Sequence, residues 1–295
     1  MRRMRQVSGL IIASTLLLQG CLADIRTDII KDQGITASNT DKGKAILQKA
    51  WKNQGLDQLK NHKVYSFKGE DTWKGMLGRT GKVWPEAKSN LEFKFLIGSF
   101  DGQVTFKDGK RAGEQAGLQN WNYYEVADEN TLFPEKADKR HVFGISAFQY
   151  FTEMLDRLKQ APIINYAGEG EMRGQKYDLV FCTWHEDDPH MEADQYIAWI
   201  NQTTGMMDFT QYTIRENYLK TPGYKAFYGG VEFSDFRTVD GIKIPHEQTI
   251  YVLNLEENKK KFLHQLIITD FTFDGFDSTD LIVDKNIQEG GNFKK

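Results

Sequence analysis

Two imidazoles and several carboxylates crowd into ten residues of this chain: His185-Glu186-Asp187-Asp188-Pro189-His190, followed by Glu192 and Asp194. Imidazole nitrogens and carboxylate oxygens are the ligands of Zn²⁺ and related divalent ions, and a metal held here would serve a hydrolase. Against that chemistry, Pro189 interrupts the segment, which connects two apolar stretches, Tyr177–Trp184 and Gln195–Ile200. A polar loop over a sheet edge has the same composition. The other histidines, His62, His141, His246 and His264, are scattered and add no ligand spacing. No H-E-x-x-H, no G-x-S-x-G and no phosphate loop occurs. The pairs Gly168/Gly170 and Gly229/Gly230 flank strand-like sequence rather than opening helices, so they read as bulges or bends. Cys182 lies in an apolar run and reads as a buried strand residue, not a nucleophile. The chain is therefore read as a non-enzyme with no cofactor and no metal. A metal-dependent hydrolase using His185 and His190 is the alternative.

Cys21 carries a different chemistry. It follows Arg2, Arg3 and Arg5, a leucine-rich stretch from Leu10 to Leu18, and the run Leu18-Gln19-Gly20. A basic start, a short apolar core and a small residue before the cut make a secretory signal peptide over residues 1–20, too short for a mature membrane span. The L-x-G-C ending resembles the bacterial lipobox, whose cysteine is lipidated and becomes the first mature residue. Gln19 departs from the small or hydroxyl residue usual at its place. Leu22 and Ala23 put no acid directly after the cysteine, which implies sorting onward to the outer membrane. Lipidation at Cys21 is the expectation.

Composition sets the partners. Without the three arginines of residues 1–20, 35 Lys and Arg face 41 Asp and Glu, a formal charge of about −6. Nucleic acid is excluded as a partner, because phosphate binding needs clustered cations. Lys259-Lys260-Lys261, after Glu256-Glu257-Asn258, reads as a solvated hairpin tip. With Cys21 lipidated, Cys182 has no disulfide partner. Some 275 mature residues bury a core without staples.

The elements follow from periodicity. Residues 21–40 are polar and unpatterned, as a lipidated tether would be. Ile46, Leu47, Ala50 and Trp51 form one stripe of a helix over 41–54, with Gly55 to end it. A second helix spans 146–159, with Ser146 to Gln149 as a capping box and Phe148, Phe151, Leu155 and Leu158 at helical spacing. Elsewhere the period is two. Turn signals at Asp101-Gly102, Asp108-Gly109, Arg173-Gly174, Thr204-Gly205 and Asp240-Gly241 join consecutive strands, which forces antiparallel pairing. The fold class is mainly β (α+β): one domain over 41–295, a large curved antiparallel sheet of roughly ten strands, with two helices on one side. A sheet of that size curls, and helices in its concavity leave a cleft.

The hairpin Phe233-Ser-Asp-Phe-Arg-Thr-Val-Asp-Gly-Ile-Lys-Ile-Pro245 resembles that of the outer-membrane lipoprotein-sorting group, the LolA/LolB-like half-barrels. Asp194 to Gly205 is similar to their strand that ends in a Thr-Gly turn, and the opening helix with Gly55-Leu56 is similar too. The resemblance implies an incomplete barrel with helices in its mouth and an apolar interior that accepts acyl chains. Carrier residues of the family do not transfer one by one. An anchored receptor-like role fits better than a soluble shuttle.

Aromatic residues could line such an interior, with 19 Phe, 12 Tyr and 6 Trp in the chain. Strand parity puts Phe93 with Phe95 on one face and Ile197 with Trp199 on one face, while the second helix offers Phe148, Phe151 and Leu155. With Trp121 and Trp184, these nine are the candidate ligand-binding residues. The same side chains would otherwise interlock as core. The expected protein is an envelope lipoprotein, outer-membrane anchored and facing the periplasm, that binds a lipid, an acyl chain or a lipoprotein. A structural lipoprotein without ligand is the remaining alternative.

Overall fold

The computed structural model describes residues 22–128, 130–215, 223–252 and 261–288. Cys21, Lys259 and Lys260 lie outside them. In chain order come helices α1 (Asp28–Gln33) and α2 (Ala37–Asn53), strand β1 (Val64–Trp73), helix α3 (Gly75–Gly81), and strands β2 (Lys88–Leu96), β3 (Gly102–Phe106), β4 (Gln115–Gln119), β5 (Asn122–Ala127) and β6 (Asn130–Leu132). Helices α4 (Lys139–Thr152) and α5 (Met154–Leu158) follow. Seven strands close the order: β7 (Ile163–Met172), β8 (Gln175–Thr183), β9 (Gln195–Asn201), β10 (Met207–Thr213), β11 (Tyr228–Val239), β12 (Ile242–Val252) and β13 (His264–Phe273).

All thirteen strands form one sheet in the order β6-β5-β4-β3-β2-β1-β13-β12-β11-β10-β9-β8-β7. Every neighbouring pair runs antiparallel. Two meanders, β1–β6 and β7–β13, are thus stitched together where β1 pairs with β13. The outermost strands β6 and β7 do not pair, so the sheet is an open half-barrel and not a closed barrel. The connection between those two edges carries α4 and α5 across the sheet. Tight turns enforce the meander: Val239 pairs with Ile242 across Asp240-Gly241, whose φ values of 48° and 82° suit aspartate and glycine in a two-residue hairpin.

The alternation of side chains divides the core into two layers. Phe67, Phe93 and Phe95, with Val180 and Ala198, pack against Val142, Ile145 and Phe148 of α4 and Leu47 of α2. Phe181, Ile197, Phe209 and Tyr251 face the other way and pack with Ile30 of α1. Strand β9 is apolar on both faces because both are covered. Helix α2 lies so close to β7 that a Cβ on Gly43 would stand 2.8 Å from the Tyr166 nitrogen.

Four expectations need correction. The long helix begins at Lys139, not at 146: the Asp138 carboxylate accepts the N–H groups of Arg140 and His141 at 2.9 and 3.3 Å. Ser146 is interior, its hydroxyl donating to the Val142 carbonyl at 2.9 Å, so the capping-box pattern there is coincidental. Helix α2 starts at Ala37 because Thr36 accepts the Asn39 N–H. The sheet has thirteen strands rather than ten, the short β3–β6 having too few residues for a periodic signal. Residues 22–34 do not form a free tether. The Thr27 hydroxyl donates to the Ala167 carbonyl at 2.7 Å, Ile30 is buried, and α1 sits on the face of the sheet opposite α4. Ile30 and Ile25, apolar among polar neighbours, add burial against the sheet to that bond.

Candidate ligand cleft

Helix α4 leaves a gap beside the ends of β9 and β10. The gap is a cleft of about 270 Å³, near the lower end of the range for small-molecule sites. Phe143, Ser146, Ala147, Tyr150 and Phe151 form its helical wall, and Tyr196, Tyr212 and Thr213 its sheet wall. Phe100, from the β2–β3 turn, and Trp121, from the β4–β5 turn, close one end; Asp194, Ile214 and Arg215 complete the lining.

The aromatic side chains hold one another in place. Phe100 and Tyr150 stack with centroids 6.4 Å apart, Tyr150 and Tyr196 at 5.7 Å, and Phe151 and Tyr212 contact at 5.5 Å. The Arg157 guanidinium sits 4.2 Å over the Phe100 ring and is itself held by Glu153 at 2.8 Å. Burial pushes the hydroxyls of Tyr150 and Tyr196 above the ordinary tyrosine range, so both stay neutral.

Trp121 has a φ of 62° and follows Asn120 at 49°. The left-handed region costs a bulky residue about 1–2 kcal/mol, and glycine is the usual choice in such a turn. The turn persists because the Asn120 N–H donates to Asp101 at 2.7 Å and because Trp121 packs on Phe100 at 4.8 Å. A strained residue whose ring lines a cleft is a recurrent mark of a functional surface.

Polar groups gather at one side of the cleft. The Thr213 hydroxyl donates to Asp194 at 2.9 Å and accepts the Gln195 N–H at 2.9 Å. Arg215 is almost sealed from solvent, and its guanidinium donates to the carbonyls of Lys225 and Ala23, both at 2.8 Å. Burial lowers its pKa, and the charge of Asp194 opposes that. Ser146, the one serine in the lining, spends its proton on the Val142 and Phe143 carbonyls. The cleft therefore offers apolar surface and fixed dipoles rather than an activated nucleophile.

The nine predicted residues separate into four groups. Trp121 and Phe151 line the cleft. Phe93, Phe95, Phe148 and Leu155 are buried in the layer beneath it. Ile197 and Trp199 belong to the opposite layer, with α1. Trp184 is 42% exposed and meets the edge of Tyr196 at 5.7 Å. Sequence reasoning missed Tyr196, Tyr212, Phe100 and Arg215. Tyr196 has the opposite parity to Ile197 and Trp199, and a strand apolar on both faces does not reveal which face borders the gap.

The histidine loop does assemble. Ligand atoms of His185, Glu186 and His190 lie within 4.8 Å of one another, and the two rings stack at 3.8 Å. However, His190 Nδ1 accepts the N–H groups of Glu192 and Ala193 at 3.1 and 3.2 Å. A neutral ring accepting at Nδ1 carries its proton on Nε2, which leaves neither nitrogen open to a metal without breaking those bonds. The donor set fits the loop's own backbone better than an ion.

The sequence matches no protein-family model and no curated protein. Solved structures do resemble it. A DUF1329 family protein from Desulfovibrio piger aligns over 82% of this chain and 97% of its own, at 10% identity and a TM-score of 0.51. A LolA superfamily protein from Nitrosomonas europaea aligns over the same shares at 10% identity and a TM-score of 0.48. At this identity the likeness is one of fold. An incomplete antiparallel barrel with helices packed across it, as the hairpin resemblance implied, is the architecture found.

Proposed function

We propose that this chain is an exported, lipid-anchored protein of the bacterial envelope that holds a hydrophobic ligand, the acyl chain of a lipid or lipoprotein, without catalysing a reaction. The aromatic cleft beside α4 carries this reading. Each methylene taken from water into such a site contributes about 0.8 kcal/mol, so a short run of them suffices without any charged contact. The resemblance to lipoprotein-sorting half-barrels supports the ligand class. The signal-peptide pattern and the absence of an acid after Cys21 support an outer-membrane anchor facing the periplasm.

The N-terminal segment supports the orientation. Ala23 bonds to Lys225 through its N–H and to Arg215 through its carbonyl, each at 2.8 Å. Arg215 lines the cleft. Two residues of chain reach at most about 7 Å, so a lipid on Cys21 would put the cleft beside the membrane surface. The ligand would then pass between bilayer and cleft without crossing water.

Native mass spectrometry on the chain from Leu22 onward, with and without added palmitate, tests the reading. A bound acyl ligand that is lost in Phe151→Ala is the expected result. A folded wild type that takes up no acyl ligand would overturn it. Stoichiometric zinc in the same spectra, removed by His185→Ala with His190→Ala, would favour the hydrolase instead.

A further inference from the structure

The N-terminal end of α4 borders a second cavity, of about 410 Å³, that shares no lining residue with the aromatic cleft. Its wall is basic: Arg79 from α3, Lys82 just after it, Arg111 from the turn Gly109–Arg111, and Arg140 from the first turn of α4. Asp138 is the one carboxylate in the lining, and its oxygen caps α4. Burial holds the His141 imidazole below its ordinary pKa, so that ring adds no charge.

Three of the four cations lack a carboxylate partner among the described residues. Arg111 is paired, with Glu114 at 2.6 Å and Glu125 at 3.4 Å. Arg140 donates to the carbonyls of Thr80 and Lys82, at 2.9 and 2.5 Å. Lys82 donates to the carbonyls of Trp84 and Pro85. Those bonds fix the positions of the two cations but leave their charge uncancelled. Arg79 is exposed and has no hydrogen-bond or ion-pair partner among the described residues.

One further observation points to an anion. Trp84 lines the same cavity and is only 1% exposed, yet its indole N–H has no acceptor in the described structure. The N-terminus of α4 also opens here, but the Asp138 carboxylate already caps it, so the side chains supply the positive charge. In a chain of formal charge −3, three cations without an ion-pair partner against one lining carboxylate, Asp138, are a local arrangement, not a general excess.

We propose that this cavity binds a phosphate group. Several divergent donors suit a tetrahedral oxyanion better than a carboxylate, which offers only two oxygens. Helix α3, which supplies Arg79, also exposes Met76 at 82% and Leu77 at 65%, the two most exposed large hydrophobic residues of the described structure. Cations beside protruding apolar side chains fit the headgroup and upper acyl region of a phospholipid. Inorganic phosphate or a soluble phosphoester offers the same oxygens without that apolar contact.

The test uses the chain from Leu22 onward, which carries every strand of the sheet. Inorganic phosphate is titrated and followed by phosphorus NMR line width, and sedimentation with phosphatidylglycerol vesicles is measured in parallel. Arg79→Gln, on an exposed side chain, and Lys82→Gln should each weaken phosphate binding several-fold, and together at least tenfold. Arg79→Lys should restore part of it. Vesicle binding that falls in Leu77→Ser, with phosphate binding intact, assigns the site to a phospholipid headgroup. Phosphate binding without vesicle binding assigns it to a soluble phosphate. A folded wild type that binds neither probe overturns the proposal, as does binding that is unchanged in the double variant.

Discussion

The guanidinium of Arg215 donates to the carbonyl of Ala23 at 2.8 Å, across 192 positions of sequence. One residue thereby joins the segment after the expected lipidation site to the wall of the aromatic cleft. Arg215→Met removes this charged bond and also the one to Lys225. Each such bond is worth about 1.5–3 kcal/mol. Amide hydrogen exchange should show residues 22–27 losing protection while the sheet keeps its own. Unchanged protection there would mean that the Thr27 and Ala23 hydrogen bonds and the burial of Ile30 hold the segment without Arg215.

Trp121 sits where glycine would be unstrained. Trp121→Gly should recover about 1 kcal/mol of backbone strain and forfeit the packing on Phe100. We therefore expect little change in the urea midpoint but weaker uptake of an acyl ligand. A large loss of stability would show that the ring is core and not a cleft wall.

Phe151, Phe93 and Trp199 separate the cleft from the two layers of core. Phe93→Ala should cost about 3–5 kcal/mol in denaturant unfolding, because that ring is fully buried. Phe151→Ala should cost less and abolish ligand binding. Trp199→Ala, on the opposite face, should lower stability and leave ligand affinity unchanged. Ligand loss in Trp199→Ala at full stability would place the site on the wrong side of the sheet.

Asp274 ties the junction of the two meanders. Its carboxylate accepts the N–H of Lys63 at 2.9 Å and of Val64 at 3.2 Å, and meets His62 Nδ1 at 2.8 Å. The Lys63 bond is the main reason its carboxyl is held below the ordinary aspartate range. A depressed carboxyl binds fewer protons in the folded chain than in the unfolded one. Its stabilisation is therefore complete above the unfolded pKa and fades as pH falls through the folded one. Asp274→Asn should flatten the acid limb of the stability profile below about pH 4, as followed by circular dichroism. An unchanged limb would mean that other carboxylates dominate it.

Much of this architecture is local and so is written along the chain. Two-residue turns such as Asp240-Gly241 determine which strands are neighbours, because only residues tolerant of positive φ close them. Alternation in Phe93 and Phe95, and helical spacing in Leu47 and Ala50, report which side chains must leave water. Other features depend on what meets across the fold. Ser146 to Gln149 matches a helix start, yet Asp138 begins the helix eight residues earlier, since the surface offered by β2–β4 extends that far. Residues 22–34 look like a tether and are docked, because the partners of Thr27 and Ala23 lie more than a hundred positions away. The face of β9 that borders the cleft is Tyr196's, not Trp199's, a choice made by α4 crossing from one edge of the sheet to the other. Parity states that two faces exist; only the packing of distant elements decides which one is left with a gap.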